Sequence, residues 1–353
     1  MTQGQEHMQQ MEQTPAAPAQ RILVTGGDGF LGRSVVAALA RRAGSEAVVA
    51  LDRRPVPVAR HVPGVHYKSG DVRSAQLAHW LRQHRIDSVV HLASSATPLR
   101  PCDRSQAFDV DVNGTRNVLQ ACADAQVRHL VVASSGAAYG CHADNPPWLA
   151  ECDPLRASAS SVHAHHKRLV EEMLADWRAS HPQLRQTVLR MATILGETVD
   201  NPVTALWESK RLLAVRGSDS PWVFIWDEDV AGAIVQALTG ARPGCYNVAG
   251  DGALGMEEIA QRLGKRSRPL PAGLLRALLA LGSRLGLCRY GSEQIEGLRG
   301  RPALDNTALK TQLGYVPRKT SAQALEAFIA ARAAQGRPVT APGAQRPLAA
   351  GLR

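Results

Sequence analysis

Three glycines at intervals of three, Gly26, Gly29 and Gly32, stand between an apolar run (Arg21 to Thr25) and a helical pattern (Phe30 to Arg42). Residues of this type in this order can hold a phosphate without any side chain, because the N-terminus of a helix presents unpaired N–H groups and partial positive charge. Gly26 lets the chain turn sharply off the strand, Gly29 lets the backbone approach a pyrophosphate, and Gly32 lets helix and strand pack closely. The segment Gly26-Gly27-Asp28-Gly29-Phe30-Leu31-Gly32 therefore reads as a dinucleotide cradle. A second strand, Glu46 to Leu51, ends in Asp52, about 20 residues beyond Gly32, where a carboxylate would accept from a ribose diol. That acid favours NAD, since it would repel a 2′-phosphate. Arg53 and Arg54 follow it, and either could fold back onto a 2′-phosphate, so NADP stays open.

The elements that must position these residues follow a βα rhythm. Strand-like runs recur at Arg21 to Thr25, Ala47 to Leu51, Val65 to Lys68, Ser88 to Leu92, Leu130 to Ala133 and Thr187 to Met191, with helical patterns between most of them. Alternation of this kind implies an α/β fold, a doubly wound parallel Rossmann sheet with a smaller C-terminal substrate lobe. Gly70-Asp71-Val72 and His91-Leu92-Ala93-Ser94 then fall at strand C-termini, where such sheets bind ligands. The rhythm breaks after Met191. The expected organisation is a disordered extension (1–20), a dinucleotide-binding core (21–193, with 224–250 returning to it), a lobe (194–223 and 251–335) and a disordered tail (336–353). Gly196 to Pro221 reads as irregular, Asp227 to Leu238 as an acid-capped helix, Gly244 to Gly250 as one more core strand, and Met256 to Leu263 and Ser321 to Ala334 as helices.

Composition narrows the partners. Of 353 residues, 41 are basic and 31 acidic, a net charge of +10. The arginines are spread without a run of five or six and aromatics are only 4%, which suits an anionic small ligand better than nucleic acid. The six cysteines form no CxxC pair and the 12 histidines no finger-like spacing, so no metal site is expected and reduced thiols in the cytoplasm are. The Gln-rich N-terminus lacks the apolar stretch of a signal peptide. Leu274 to Leu287, the longest apolar stretch, is broken by Arg276 and Arg284 and is too short for a bilayer span. Its leucine stripe is expected to pack within the lobe, as a wall of the substrate cleft.

In this frame the chain, from about Arg21 to Phe328, resembles the extended short-chain dehydrogenase/reductase superfamily, the NAD-dependent epimerase/dehydratase group. The resemblance is carried by the glycine segment, Gly70-Asp71-Val72, His91-Leu92-Ala93, Asn113-Gly114-Thr115, Ser134-Ser135-Gly136-Ala137-Ala138-Tyr139-Gly140 and Phe224-Ile225-Trp226-Asp227-Glu228-Asp229-Val230-Ala231, in that order. It implies an NAD(P) cofactor with Asp71 and Val72 near the adenine, and Leu92, Ala93 and Ser94 near the phosphoribose. Ser135 would hydrogen-bond the reacting oxygen of a small-molecule substrate, or else cap a turn. Homodimerisation through the helices around Val110 to Ala123 and Ser161 to Ala175 is a further expectation from the resemblance.

The superfamily's acid/base pair is Tyr-x-x-x-Lys, and the matching stretch is His163-Ala164-His165-His166-Lys167. Lys167 remains to hold the nicotinamide ribose, but His163 stands in the tyrosine position, one helical turn away. An imidazole titrates near ~6.5 rather than ~10, and a neighbouring cation favours its neutral form, which accepts a proton more readily than it donates one. Three roles are open: a substitute acid/base, the mark of a catalytically silent cofactor-binding protein, or a site whose proton comes from another residue such as Tyr139. Two other departures are Asp111, where the superfamily carries Asn, and Leu189-Arg190-Met191-Ala192-Thr193. In the latter Thr193 replaces the Asn that touches the pyrophosphate of a nucleotide sugar.

Overall fold

Strands that are apolar on both faces need helices on both sides, and most strands of this chain are of that kind. The computed structural model describes residues 20–95, 103–199, 201–207, 211–218, 221–240, 242–277, 301–337 and 339. Seven strands, β1 (Ile22–Thr25), β2 (Val48–Asp52), β3 (His66–Ser69), β4 (Ser88–His91), β5 (His129–Ser135), β6 (Arg185–Met191) and β10 (Gly244–Val248), form one parallel sheet in the order β10-β6-β5-β4-β1-β2-β3. The order reverses between β1 and β4, where Val24 lies beside both Ala50 and Val90, so the crevice outside their C-terminal ends is the place for a ligand.

Alternation along each strand divides the core. Val24, Val48, Val90 and Val131 face α1 (Phe30–Ala43) and α7 (Asp227–Gly240) through Val35, Leu39, Val230 and Ile234. Leu23, Val49, Val89 and Leu130 point the other way, to α2 (Leu77–Gln83), α4 (Gly114–Asp124) and α5 (Val162–Ser180), through Leu81, Val118, Val170 and Leu174. α3 (Asp103–Phe108) runs into α4 through a wider π-helical turn at Asp109–Asn113.

A third cluster builds the lobe around Trp207, Trp222, Phe224 and Phe328, whose rings meet at centroid distances of 5.5 to 6.1 Å. It is framed by β7 (Thr193–Leu195) with β9 (Phe224–Trp226), β8 (Arg211–Val215) with β11 (Arg266–Leu270), α6 (Pro202–Trp207), α8 (Met256–Arg262) and the helix Ser321–Ala334. The segment 196–221 is thus not irregular: it holds α6 and β8, and β8 is completed by a partner more than 50 residues on, beyond the reach of local pattern. Asp229 on α7 is buried, and its carboxylate accepts from Tyr315 Oη and Arg318 N at 2.9 Å and Lys319 N at 3.3 Å, fixing the entry to the last helix. Thr320 and Gln323 cap that helix reciprocally.

Residues 1–19, positions 278–287 of the leucine stripe, and 340–353 lie outside the described residues, while 272–277 are helical. Among the described residues no helix is long and apolar enough to cross a membrane, and Cys122, Cys141, Cys152 and Cys245 form no disulfide.

The contact of α1 with the β1 turn yields a stability test. A methyl at Gly32 would lie 2.0 Å from Gly26 O, a backbone atom that cannot step aside, whereas one at Gly273 would meet nothing within 4 Å. Gly32→Ala is expected to cost about 3 kcal/mol or more in denaturant unfolding, with Gly273→Ala within about 0.5 kcal/mol of the parent. Equal midpoints for the two variants would refute the packing role.

Candidate active site

The turn after β1 is made by Gly26 in a left-handed conformation (φ 70°), pressed so closely on the end of β4 that a Cβ there would be 2.9 Å from Ala93 N. Gly29, Phe30 and Leu31 open α1 beside it, with Phe30 leaning on the lobe cluster and Leu31 on the core. Asp52 lies at the end of β2. Its carboxylate accepts from Asp28 N at 3.1 Å and Arg54 N at 3.3 Å, which orients it over the turn. Arg53 and Arg54 side chains are exposed. A glycine turn with no room for side chains, a helix N-terminus and an oriented carboxylate fit a dinucleotide, and these same residues would hold its pyrophosphate and adenosine ribose.

The ends of β1 and β4 are locked by a row of polar side chains. Thr115 Oγ1 donates to Asp111 O at 2.6 Å and so accepts from His91 Nε2 at 3.0 Å, which leaves His91 Nδ1 to accept from Thr25 Oγ1 at 2.8 Å. Leu92 N and Ala93 N donate to the same threonine at 3.2 Å. This neutral His91 agrees with burial, and then Lys167, pushing its pKa down to about 3. Asp111, buried in the π-turn, accepts from Ser94 Oγ at 2.9 Å, Ser95 N at 2.6 Å and His166 Nδ1 at 2.9 Å. The Ser94 side chain is thus turned toward Asp111. His166 belongs to this buried pair, with Phe108 edge-on at 5.5 Å. The pair joins the β4 loop to α5 and escaped sequence reasoning, for its members are 55 residues apart.

Along α5, Lys167 Nζ donates to Ala133 O at 2.8 Å, two residues before Ser135, which ends β5. Burial lowers the Lys167 pKa. His163, one turn earlier and partly buried, is pushed down to about 4 by burial and then by Lys167, and its ring makes no hydrogen bond among the described residues. Ser135 Oγ accepts from Ala137 N at 3.2 Å, so it caps the turn Gly136–Tyr139 while remaining partly exposed, with its hydroxyl proton left to donate.

Tyr139 is not the replacement acid. Fully buried, it has Asn247 Oδ1 and Ala150 O, both at 2.9 Å, as acceptors for its single Oη proton, and the oxygen accepts from Arg190 Nη1 at 2.8 Å. Burial pushes its pKa up to about 12. Arg190 also grips Glu171 at 2.8 and 2.9 Å, and Ser134 donates to the same carboxylate. These groups are structural.

Asp71 is held by Arg73 (2.7 Å), which also pairs with Asp109, and the Arg73 hydrogen bond lowers the Asp71 pKa. Asp71, Arg73, Asp109, Asn113 and Asn117 line an open cavity of about 430 Å³ at the end of β3. Val72 turns inward to the core instead. On the lobe side Arg301 Nη1 donates to Thr193 Oγ1 at 2.8 Å and lies 3.7 Å over the Trp222 ring; burial pushes its pKa down to about 10. It too went unnoticed in the sequence, where nothing links positions 108 residues apart. Among the described residues no group of three or more His, Cys, Asp or Glu converges as a metal site would require.

Known proteins resemble this arrangement. The sequence profile of the NAD dependent epimerase/dehydratase family matches residues 22–249. An uncharacterized protein of Mycobacterium tuberculosis is 24% identical over 314 residues, 88% of this chain and 84% of that protein. The UDP-glucose 4-epimerase of Azospirillum brasilense is 35% identical over 198 residues, 52% of this chain and 51% of the enzyme. Among solved structures, the Thermus thermophilus UDP-glucose 4-epimerase in complex with NAD has a TM-score of 0.68 at 25% identity, covering 88% of this chain and 99% of that one. The Thermotoga maritima enzyme with UDP-glucose has a TM-score of 0.70 at 18% identity, covering 90% and 99%.

Three histidines that are neutral in the fold, His91 (about 3), His129 (about 4) and His163 (about 4), all bind a proton near ~6.5 once unfolded. Between pH 4 and 6.5 the unfolded chain therefore holds more protons, and stability falls as pH falls through that window. Urea midpoints from pH 7 to 4.5 are expected to drop, and less steeply in His129→Asn, which removes one of the three protons; parallel slopes would show that His129 is not held neutral.

Proposed function

The chain belongs to the NAD dependent epimerase/dehydratase family, and on that premise we propose that it is an NAD-dependent enzyme moving a hydride to or from a hydroxyl or carbonyl carbon held beside Ser135. The observation that carries this reading is the Lys167 bond to Ala133 O, which brings the His163–Lys167 face of α5 to the end of β5, one strand from the crevice at β1 and β4. NAD, when bound, supplies a ring carbon that accepts and returns hydride. The backbone N–H groups of the glycine turn and α1 receive its pyrophosphate, Asp52 its adenosine ribose diol, and Lys167 its nicotinamide ribose.

Ser135 Oγ donates to the reacting oxygen and orients it. His163 is neutral at pH 7, so it takes up the proton of a substrate hydroxyl and is a poor donor to a carbonyl. Alcohol oxidation is the favoured direction. Its low basicity makes the step slow, because a base titrating near 4 is far from the operating pH. Arg301, just beyond the end of β6 and resting on Thr193, favours a substrate that carries an anionic group. UDP-sugars, named with several of the similar structures, are substrates of that class.

The same weak base supports a second reading, a protein that binds NAD without turnover. Calorimetry with NADH, followed by a screen of alcohols including UDP-sugars for reduced nicotinamide, separates the two. The enzyme reading expects micromolar NADH binding, slow turnover in the parent, a rise of at least about tenfold in His163→Tyr, and a loss of about 100-fold in Lys167→Ala. NADH binding without turnover in the parent or in His163→Tyr would establish the silent reading instead.

A further inference from the structure

Around the adenosine end of the cradle the chain gathers four arginines and two acids. Arg60, on the short turn Val58–Arg60, donates from Nη1 to both oxygens of Asp28, at 3.2 and 3.0 Å. Arg33 Nη1 stands 4.0 Å from the same carboxylate and donates to Asp28 O at 2.9 Å. Asp28 is in turn joined to Asp52 through its own N–H. Arg53 and Arg54 follow directly in the chain. The carboxylate that would meet a ribose diol therefore has beside it a second carboxylate, and that one holds Arg60.

We propose that Asp28 is a cofactor-selecting residue: by engaging Arg60 it withholds that guanidinium from the 2′-phosphate of NADP and tilts the pocket toward NAD. This rests on the dinucleotide reading above. A 2′-phosphate would lie against two negative charges, Asp52 and Asp28, while Arg60 Nη1, a donor that could receive it, is already engaged by Asp28. The Asp28 side chain is 16% exposed and Arg60 52% exposed, so the Coulomb attraction between them is weakened by solvent and a phosphate dianion competes for the guanidinium once Asp28 is gone. An ion pair whose arginine is half-exposed contributes little to folding, so removing Asp28 is expected to change the ligand preference more than the fold. Asp52 alone sets an NAD preference; the pair sets its margin.

The test is calorimetric titration of the full chain, Asp28→Ala and the double variant Asp28→Ala/Arg60→Gln with NADH and with NADPH at matched ionic strength. The parent should prefer NADH by at least about tenfold. Asp28→Ala should improve NADPH relative to NADH by about tenfold, the gain should shrink on raising salt, and the double variant should lose the part of the gain that Arg60 supplies, keeping only the part due to the missing Asp28 charge. A ratio that stays within twofold in Asp28→Ala, or a gain that is undiminished without Arg60, overturns the proposal that Asp28 acts by holding Arg60. Binding of neither dinucleotide at millimolar concentration by a parent with an intact thermal transition removes the dinucleotide reading itself, a different outcome from an unmoved ratio.

Discussion

The structure depends on how closely α1 can lie on the turn after β1. No atom beyond hydrogen fits on Gly32, because the Gly26 carbonyl occupies the space a side chain would need, and Gly26 is itself jammed against the Ala93 backbone. These two contacts tie β1, α1 and β4 into one unit and leave the first N–H groups of α1 facing the crevice. The groups that would receive a pyrophosphate are then backbone, so the side chain of Asp28 in the glycine segment is left to pair with Arg60.

A second constraint is electrical. The strand ends bury Asp111, Glu171, Arg190 and His91, groups that are costly to remove from water unless every donor and acceptor is matched. Each is matched here, Asp111 by three donors and Glu171 by Arg190 and Ser134. The result is a rigid floor on which Ser135 and Lys167 are held, while His163 is left with no hydrogen bond among the described residues and with its proton affinity reduced. The residue that departs most from the superfamily pattern is thus also the least restrained one of the three.

Legibility followed range. The six strands and the helices at Phe30, Asp227 and Ser321 came within a residue or two of their observed limits, because buried parallel strands and capped helices write their periodicity locally. The lobe strands β8 and β11 were invisible, since neither is stable without the other and their pairing spans more than 50 residues. The same limit hid the Asp111–His166 and Thr193–Arg301 contacts. Tyr139, a possible proton source by sequence, is instead held in the core by polar contacts to Ala150, Asn247 and Arg190 that no spacing announces.

By itself the sequence determined the glycine turn, the acid after β2, the βα alternation of the parallel core and the exchange of tyrosine for His163, because each is a short-range pattern with one steric or chemical meaning. Only the tertiary structure decided which polar residues face the crevice and which are consumed inside. Tyr139 went to the core, Ser94 to Asp111, Asp71 to Arg73 and Asp28 to Arg60. That division is set by hydrogen-bond and charge partners brought from distant segments, and a side chain's availability for chemistry is what remains after those partners have been satisfied.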